Sequence, residues 1–139
     1  MPSINAIIIF AHGASDPEWA EPFESIRNRI LLVHPDWHVA LAFLERMSPS
    51  LETSVKQAVL AGAKTITIVP FFLARGGHLK KDLPPRLEAL KNTYGNILIN
   101  MCNPLGESES MLDAMANWAV QCSCLSENSL IRQTPRTQL

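Results

Sequence analysis

The sequence predicts an α/β fold, a three-layer sandwich in which a four-stranded parallel sheet is flanked by helices. Three observations predict it. Four apolar runs, INAIIIF (4–10), HVALAFL (38–44), TITIVPFF (65–72) and ILINM (97–101), have strand length. Between them, apolar residues recur at helical spacing. The strands read as apolar on both faces, as parallel strands buried beneath two layers do. A length of 139 residues fits one domain, and 47% apolar content supplies its core.

The elements follow in order. After the first strand, Phe23, Ile26, Ile30 and Val33 form a helical stripe. Pro22 suits its first turn and Pro35 lies beyond its end. After the second strand, Ser48 and Pro49 are expected to open a helix, with Leu51, Val55, Ala58 and Val59 inward and Gly62 as the stop. After the third strand, a helix is expected from about Pro84, with Leu87 and Leu90 inward and Gly95 past its end. After the fourth, PLGES leads to a helix with Met111, Leu112, Met115, Trp118 and Ala119 on one face. The polar residues 126–139 are expected to form a disordered tail.

Composition excludes several function classes. Net charge is −1, so no global positive field draws nucleic acid or anionic lipid. No apolar run approaches the roughly 18 residues needed to cross a bilayer. The start of the chain has no basic n-region and no cleavage signal, so a cytoplasmic protein is expected. Cys102, Cys122 and Cys124 contain no C-x-x-C pair and read as free thiols in a reducing compartment.

In open parallel sheets, ligands bind beyond the carboxyl ends of the strands. Polar clusters sit after each predicted strand: His12, Ser15 and Asp16; Glu45 and Arg46; Arg75, His78, Lys80, Lys81 and Asp82. His12, Glu45 and His78 are spaced 33 residues apart in turn, one strand-helix unit each, which brings all three to one rim. Individually each has a plain reading. A loop histidine is usually a surface group, as we read His34 and His38. Glu45 is by itself a solvated charge, Asp16 an N-cap or turn former, and the basic trio a solvated turn. Together, two imidazoles and a carboxylate suit a divalent first-row metal, and imidazole also suits proton transfer near neutral pH. Gly76 and Gly77 are expected to permit positive φ and a close approach of a ligand to the backbone. No G-x-G-x-x-G or Walker motif supports a nucleotide site.

The segments AHGASDPEWAEPFESI, LAFLERMSPSLETSVKQAVLAGAKTITIVPFFLARGGHLKKDLP and PLGES, in this order and spacing, resemble the class II tetrapyrrole chelatases. The resemblance is to the small, CbiX-type sirohydrochlorin cobaltochelatases, with the SirB-type ferrochelatases as relatives, and runs from about Ile4 to Trp118. It implies a chelatase-like domain over residues 1–125 and insertion of Co2+ into sirohydrochlorin, with Fe2+ or Ni2+ as alternative metals. It implies that His12 and His78 bind the metal and take part in proton removal, with Glu45 as a further ligand or proton carrier. It also implies a homodimer, with no cofactor beyond the substrate metal and neither nucleic acid nor membrane as partner. Ser15 stands where family members often carry a basic side chain.

Sirohydrochlorin carries eight carboxylates, so Arg75, Lys80 and Lys81, with the Gly76–Gly77 pair, are candidates to hold its acetate and propionate arms. Phe71, Phe72, Leu73 and Met47 are candidates for apolar walls, or else plain core. Two other classes stand beside this reading. One is a metal or tetrapyrrole carrier without turnover. The other is a different enzyme, a hydrolase using Ser15 or a phosphotransfer enzyme using His12. The hydrolase lacks a G-x-S-x-G elbow, and no arginine precedes His12 as a phosphohistidine mutase would require.

Overall fold

A computed structural model describes residues 3–125, and the predicted tail, 126–139, lies outside the described residues. The chain divides after Leu105 into two compact units.

The first unit contains the whole sheet. Strands β1 (Ile4–Ala11), β2 (His38–Phe43), β3 (Ala63–Pro70) and β4 (Leu98–Met101) are all parallel, in the order β2-β1-β3-β4. Ile8 pairs with Ala40 on one side and Ile68 on the other, and Ile66 pairs with Ile99. Because consecutive side chains point to opposite faces, these strands feed two cores. On one face Ile8, Phe10, Ile66, Ile68 and Ile99 meet helices α2 (Leu51–Leu60) and α3 (Gly77–Thr93) through Leu51, Val55, Leu79, Leu83 and Leu90. On the other, Ile9, Val39, Leu41 and Phe43 meet helix α1 (Glu21–Val33) through Phe23, Ile26 and Ile30. The expected sandwich is present, with α1 packed over β1 and β2, while Leu98 on β4 is exposed.

Four expectations need correction. Val33 is exposed, and Leu31 takes the inward position on α1. The cap of α2 is Ser50, whose Oγ accepts from the Thr53 N–H at 3.2 Å; Ser48 and Pro49 belong to the preceding bend. The third strand ends at Pro70, and Phe71 and Phe72 turn into opposite cores. Helix α3 begins at Gly77, with Pro84 and Pro85 inside it. A proline inside a helix removes the bond to the carbonyl four residues earlier. Here those carbonyls belong to the exposed Lys80 and Lys81, while Leu79 and Leu83 beside them are buried and hold this turn of helix to the sheet. Gly62 behaves as expected: it follows the Ala61 cap with φ +103.

The second unit carries helix α4 (Glu109–Leu125), 17 residues long. Its expected inward face is not buried: Met111, Leu112 and Trp118 are exposed, Trp118 at 60%. No helix among the described residues is long and apolar enough to cross a membrane.

Candidate active site

The order β2-β1-β3-β4 reverses direction between β1 and β3, because the chain leaves β1 toward β2 and then returns to the far side of β1. At such a switch point the loops diverge to opposite faces and leave a crevice at the carboxyl ends of the strands. His12 directly follows β1, Glu45 follows β2, and the segment from Phe71 to His78 follows β3.

Backbone hydrogen bonds extend the ladder past the strand ends and lock these loops together. The Leu44 N–H donates to the Ala11 carbonyl at 2.9 Å, and the Glu45 N–H donates to the His12 carbonyl at 3.1 Å. Gly13 has φ +90, and a Cβ there would collide with the Glu45 carbonyl oxygen, so only glycine lets the two loops come this close. The Phe71 N–H donates to the Phe10 carbonyl at 2.8 Å, which fixes where the third loop leaves the sheet. The His12 ring lies against the buried Phe72, centroids 4.6 Å apart, so a core side chain backs this imidazole.

Glu45 and His78 line one cleft of about 460 Å³, together with Leu44, Asp82 and Arg86. His78 lies in the first turn of α3, and its Nε2 is 2.8 Å from Asp82 Oδ2, one helical turn further on. Arg86 forms a two-pronged pair with Glu52 of α2, its Nε and Nη2 donating at 2.9 and 2.8 Å. The hydrogen bond from Arg86 holds the Glu52 carboxyl below its ordinary value, against the opposing effect of burial. The same bond raises the Arg86 guanidinium, so both partners point to one interaction. This pair ties α2 to α3 at the cleft.

His12 is not among the residues lining this cleft, and among the described residues no group of three or more His, Cys, Asp or Glu side chains could hold one metal ion. The predicted trio therefore shares a rim, with Glu45 and His78 brought to one cavity and His12 beside it through the bonded backbones of the first two loops.

The basic residues are spread along the same edge. Arg75 lines a smaller hollow of about 170 Å³ beside Met101, Cys102 and Asn103 at the end of β4. Lys80 and Lys81 are exposed on α3. The expectation of positive φ at Gly76 and Gly77 is corrected, since neither adopts it. Gly76 is the extended N-cap of α3, at φ −72 and ψ 168, and Gly77 is its first residue. The open space there is real, because a Cβ at either position would meet nothing within 4 Å. Of the apolar wall candidates, Phe72 is core, Phe71 and Met47 pack against the α1-side core, and Leu73 is exposed at 64%.

Sequence reading missed three features. The Glu52–Arg86 pair spans 34 residues and has no local signature. The backing of His12 by Phe72 depends on how the third loop turns. The His78–Asp82 contact carried the visible signal of i,i+4 spacing, hidden by the expectation that the helix starts at Pro84.

Comparison with known proteins agrees with this architecture. The CbiX family profile matches residues 6–121. The sirohydrochlorin cobaltochelatase of Methanosarcina barkeri is 32% identical over 114 residues, covering 77% of this chain and 88% of that protein. The crystal structure of a Marinobacter aquaeolei CbiX protein superposes with a TM-score of 0.72 at 34% identity, covering 84% of this chain and 95% of that one. The sirohydrochlorin chelatase SirB from Bacillus subtilis subspecies spizizenii, solved in complex with cobalt, gives a TM-score of 0.64 at 27% identity, covering 82% of this chain and 49% of SirB. With a profile match over most of its length on a four-stranded parallel sheet, the chain belongs to the CbiX family.

Proposed function

We propose that this protein is a sirohydrochlorin cobaltochelatase, a lyase-class enzyme inserting Co2+ into the macrocycle with release of two protons. The observation that carries the reading is the delivery of Glu45 and His78 to one cleft at the carboxyl end of the sheet, with His12 on the adjoining loop. Relatives that match most of this chain are sirohydrochlorin cobaltochelatases. The family match over 6–121 supports residues 1–125 as the working domain.

Insertion exchanges the waters of the metal for four ring nitrogens and strips two N–H protons from the macrocycle. In this reading His12 and His78 hold the incoming ion and accept protons, and Glu45 completes its shell or carries protons away. His78 is 85% exposed, so the ion can exchange rapidly and pass on to the ring. Arg75, Lys80 and Lys81 meet the carboxylate arms, Arg75 being suited to a two-pronged contact. The metal is a substrate, and no resident cofactor is required. These residue types suit several metals of the first row, so Fe2+ and Ni2+ are the alternative substrates.

We also read the protein as a cytoplasmic homodimer. The matched part covers 49% of SirB, so two copies of that part would span about its length. Exposed Trp118, Val120 and Leu112 on α4 offer apolar surface to a partner. The three free cysteines favour a reducing compartment.

The deciding experiment is an absorbance assay of purified protein with sirohydrochlorin and Co2+, Fe2+ or Ni2+ against the rate without enzyme. Multiple turnovers, fastest with Co2+, are expected. A spectral change that stops at one equivalent would assign a carrier instead.

A further inference from the structure

We propose that Arg46 is a specificity-determining residue, whose guanidinium binds a carboxylate arm of the macrocycle on the β2 side of the site, opposite Arg75, Lys80 and Lys81. The inference rests on the chelatase reading above and adds a recognition residue to it.

Three observations carry it. The first is placement. Strand β1 lies between β2 and β3, so His12 stands at the middle of the rim, with the β2 loop on one side and the β3 loop on the other. Arg75, Lys80 and Lys81 all belong to the β3 side. A macrocycle centred over His12, Glu45 and His78 carries its eight carboxylates around its whole perimeter, so some of them lie over the β2 side. Arg46 directly follows Glu45 there.

The second is the backbone. Arg46 has φ +68, the one positive φ at a non-glycine among the described residues. Its loop is pinned on both sides, by the Glu45 N–H donating to the His12 carbonyl at 3.1 Å and the Phe43 N–H donating to the Pro49 carbonyl at 2.9 Å. Glycine adopts a positive φ freely, whereas a side chain there is strained. Strain of this kind clusters at active sites and ligand clamps.

The third is the guanidinium itself. Its Nη1 donates to the Ser15 Oγ at 3.5 Å, a long bond to a neutral hydroxyl, and its Nε lies 3.7 Å from a Glu45 carboxylate oxygen. The Arg46 and Glu45 side chains are 63% and 62% exposed, and exposed pairs hold loosely. A guanidinium has five N–H donors in one plane. Ser15 takes one and draws the group toward the loop after β1, and the others suit a two-pronged contact with a carboxylate.

A purely structural Arg46, tying the second loop to the first through Ser15, predicts that Arg46→Gly and Ser15→Ala both lower Tm, and that binding falls only as stability falls. The test titrates metal-free sirohydrochlorin into the full-length protein at low and high salt, for wild type, Arg46→Gly, Arg46→Lys and Ser15→Ala, with thermal melts alongside. Arg46→Gly should weaken binding about 10-fold at low salt, the lower end for a hydrogen bond to a charged group, at an equal or higher Tm because the strain is relieved. Its affinity should also depend less on salt. Arg46→Lys should retain part of the affinity, and Ser15→Ala, which keeps the charge, nearly all of it. In Co2+ insertion, Arg46→Gly should raise the KM for sirohydrochlorin and leave kcat and the KM for Co2+ unchanged. Binding by Arg46→Gly as tight as wild type overturns the proposal, even where wild type inserts metal and the chelatase reading stands. So does a loss of binding that accompanies a lowered Tm and is reproduced by Ser15→Ala. If wild type binds sirohydrochlorin but inserts no metal, the chelatase reading fails while the titrations still decide Arg46. Absence of binding by wild type overturns both.

Discussion

Gly13 and Glu45, on the loops after the first two strands, touch backbone to backbone, with the Gly13 Cα packed against the Glu45 carbonyl oxygen at a φ of +90. This contact sets His12 and Glu45 side by side, since the N–H of Glu45 is bonded to the carbonyl of His12. Gly13→Ala adds a methyl group where backbone stands and forces an L-residue into the positive-φ region. We expect a loss of roughly 2–4 kcal/mol in stability, measured by urea unfolding. The insertion rate should fall even where the variant remains folded, because the two loops must part. Wild-type stability in Gly13→Ala would show that the contact is not tight in solution.

His78→Ala should abolish insertion and leave the fold intact. The side chain is 85% exposed, so its removal should change stability by no more than about 0.5 kcal/mol. In the role proposed for His78, its loss should cost at least about 100-fold in rate. Insertion assays paired with thermal melts separate the two effects, and wild-type turnover would remove His78 from the site.

Insertion as proposed liberates two protons, so the rate should decline on acidification. Initial rates across a pH series, with the non-enzymatic rate subtracted, check this. A rate that rises toward acid would contradict histidine as the proton acceptor.

The Glu52–Arg86 pair predicts a pH-dependent stability that is separate from catalysis. The Glu52 carboxyl titrates below its ordinary value of 4.5, chiefly because Arg86 donates to it. A depressed folded-state value means the contribution is fully present above the unfolded value and disappears as pH falls through the folded one. Glu52→Gln should cost about 1 kcal/mol near neutral pH, the upper end for partly exposed pairs, since the Glu52 side chain is 49% exposed. The gap between variant and wild type should close in acid below about pH 4.5. A gap that stays constant into acid would locate the effect elsewhere.

Ser54 is a buried polar residue whose hydroxyl donates to the Leu41 carbonyl on β2. Ser54→Ala leaves that carbonyl without this donor and should cost about 1–2 kcal/mol, with an unchanged urea m-value and unchanged insertion rate. An equal stability would mean that the carbonyl finds water at the sheet edge.

The strand-helix alternation, the strand type and the rim on which His12, Glu45 and His78 stand are legible in the chain's residues alone. These depend on local patterns: apolar runs such as INAIIIF, helical stripes such as Phe23-Ile26-Ile30, and a spacing of 33 residues that repeats one structural unit. The remaining features need contacts between distant parts of the chain, which local pattern cannot encode. Pro84 and Pro85 read as a helix start, yet burial of Leu79 and Leu83 carries α3 back to Gly77, because hydrophobic contact with the sheet outweighs two lost hydrogen bonds. That shift alone puts His78 and Asp82 on one helix face. The closeness of Gly13 to Glu45, the seat of His12 on Phe72 and the joining of α2 to α3 by Glu52 and Arg86 all bring together residues far apart in the chain. Such pairings exist only once the sheet order β2-β1-β3-β4 has formed, since it is the sheet that carries distant loops to a common edge.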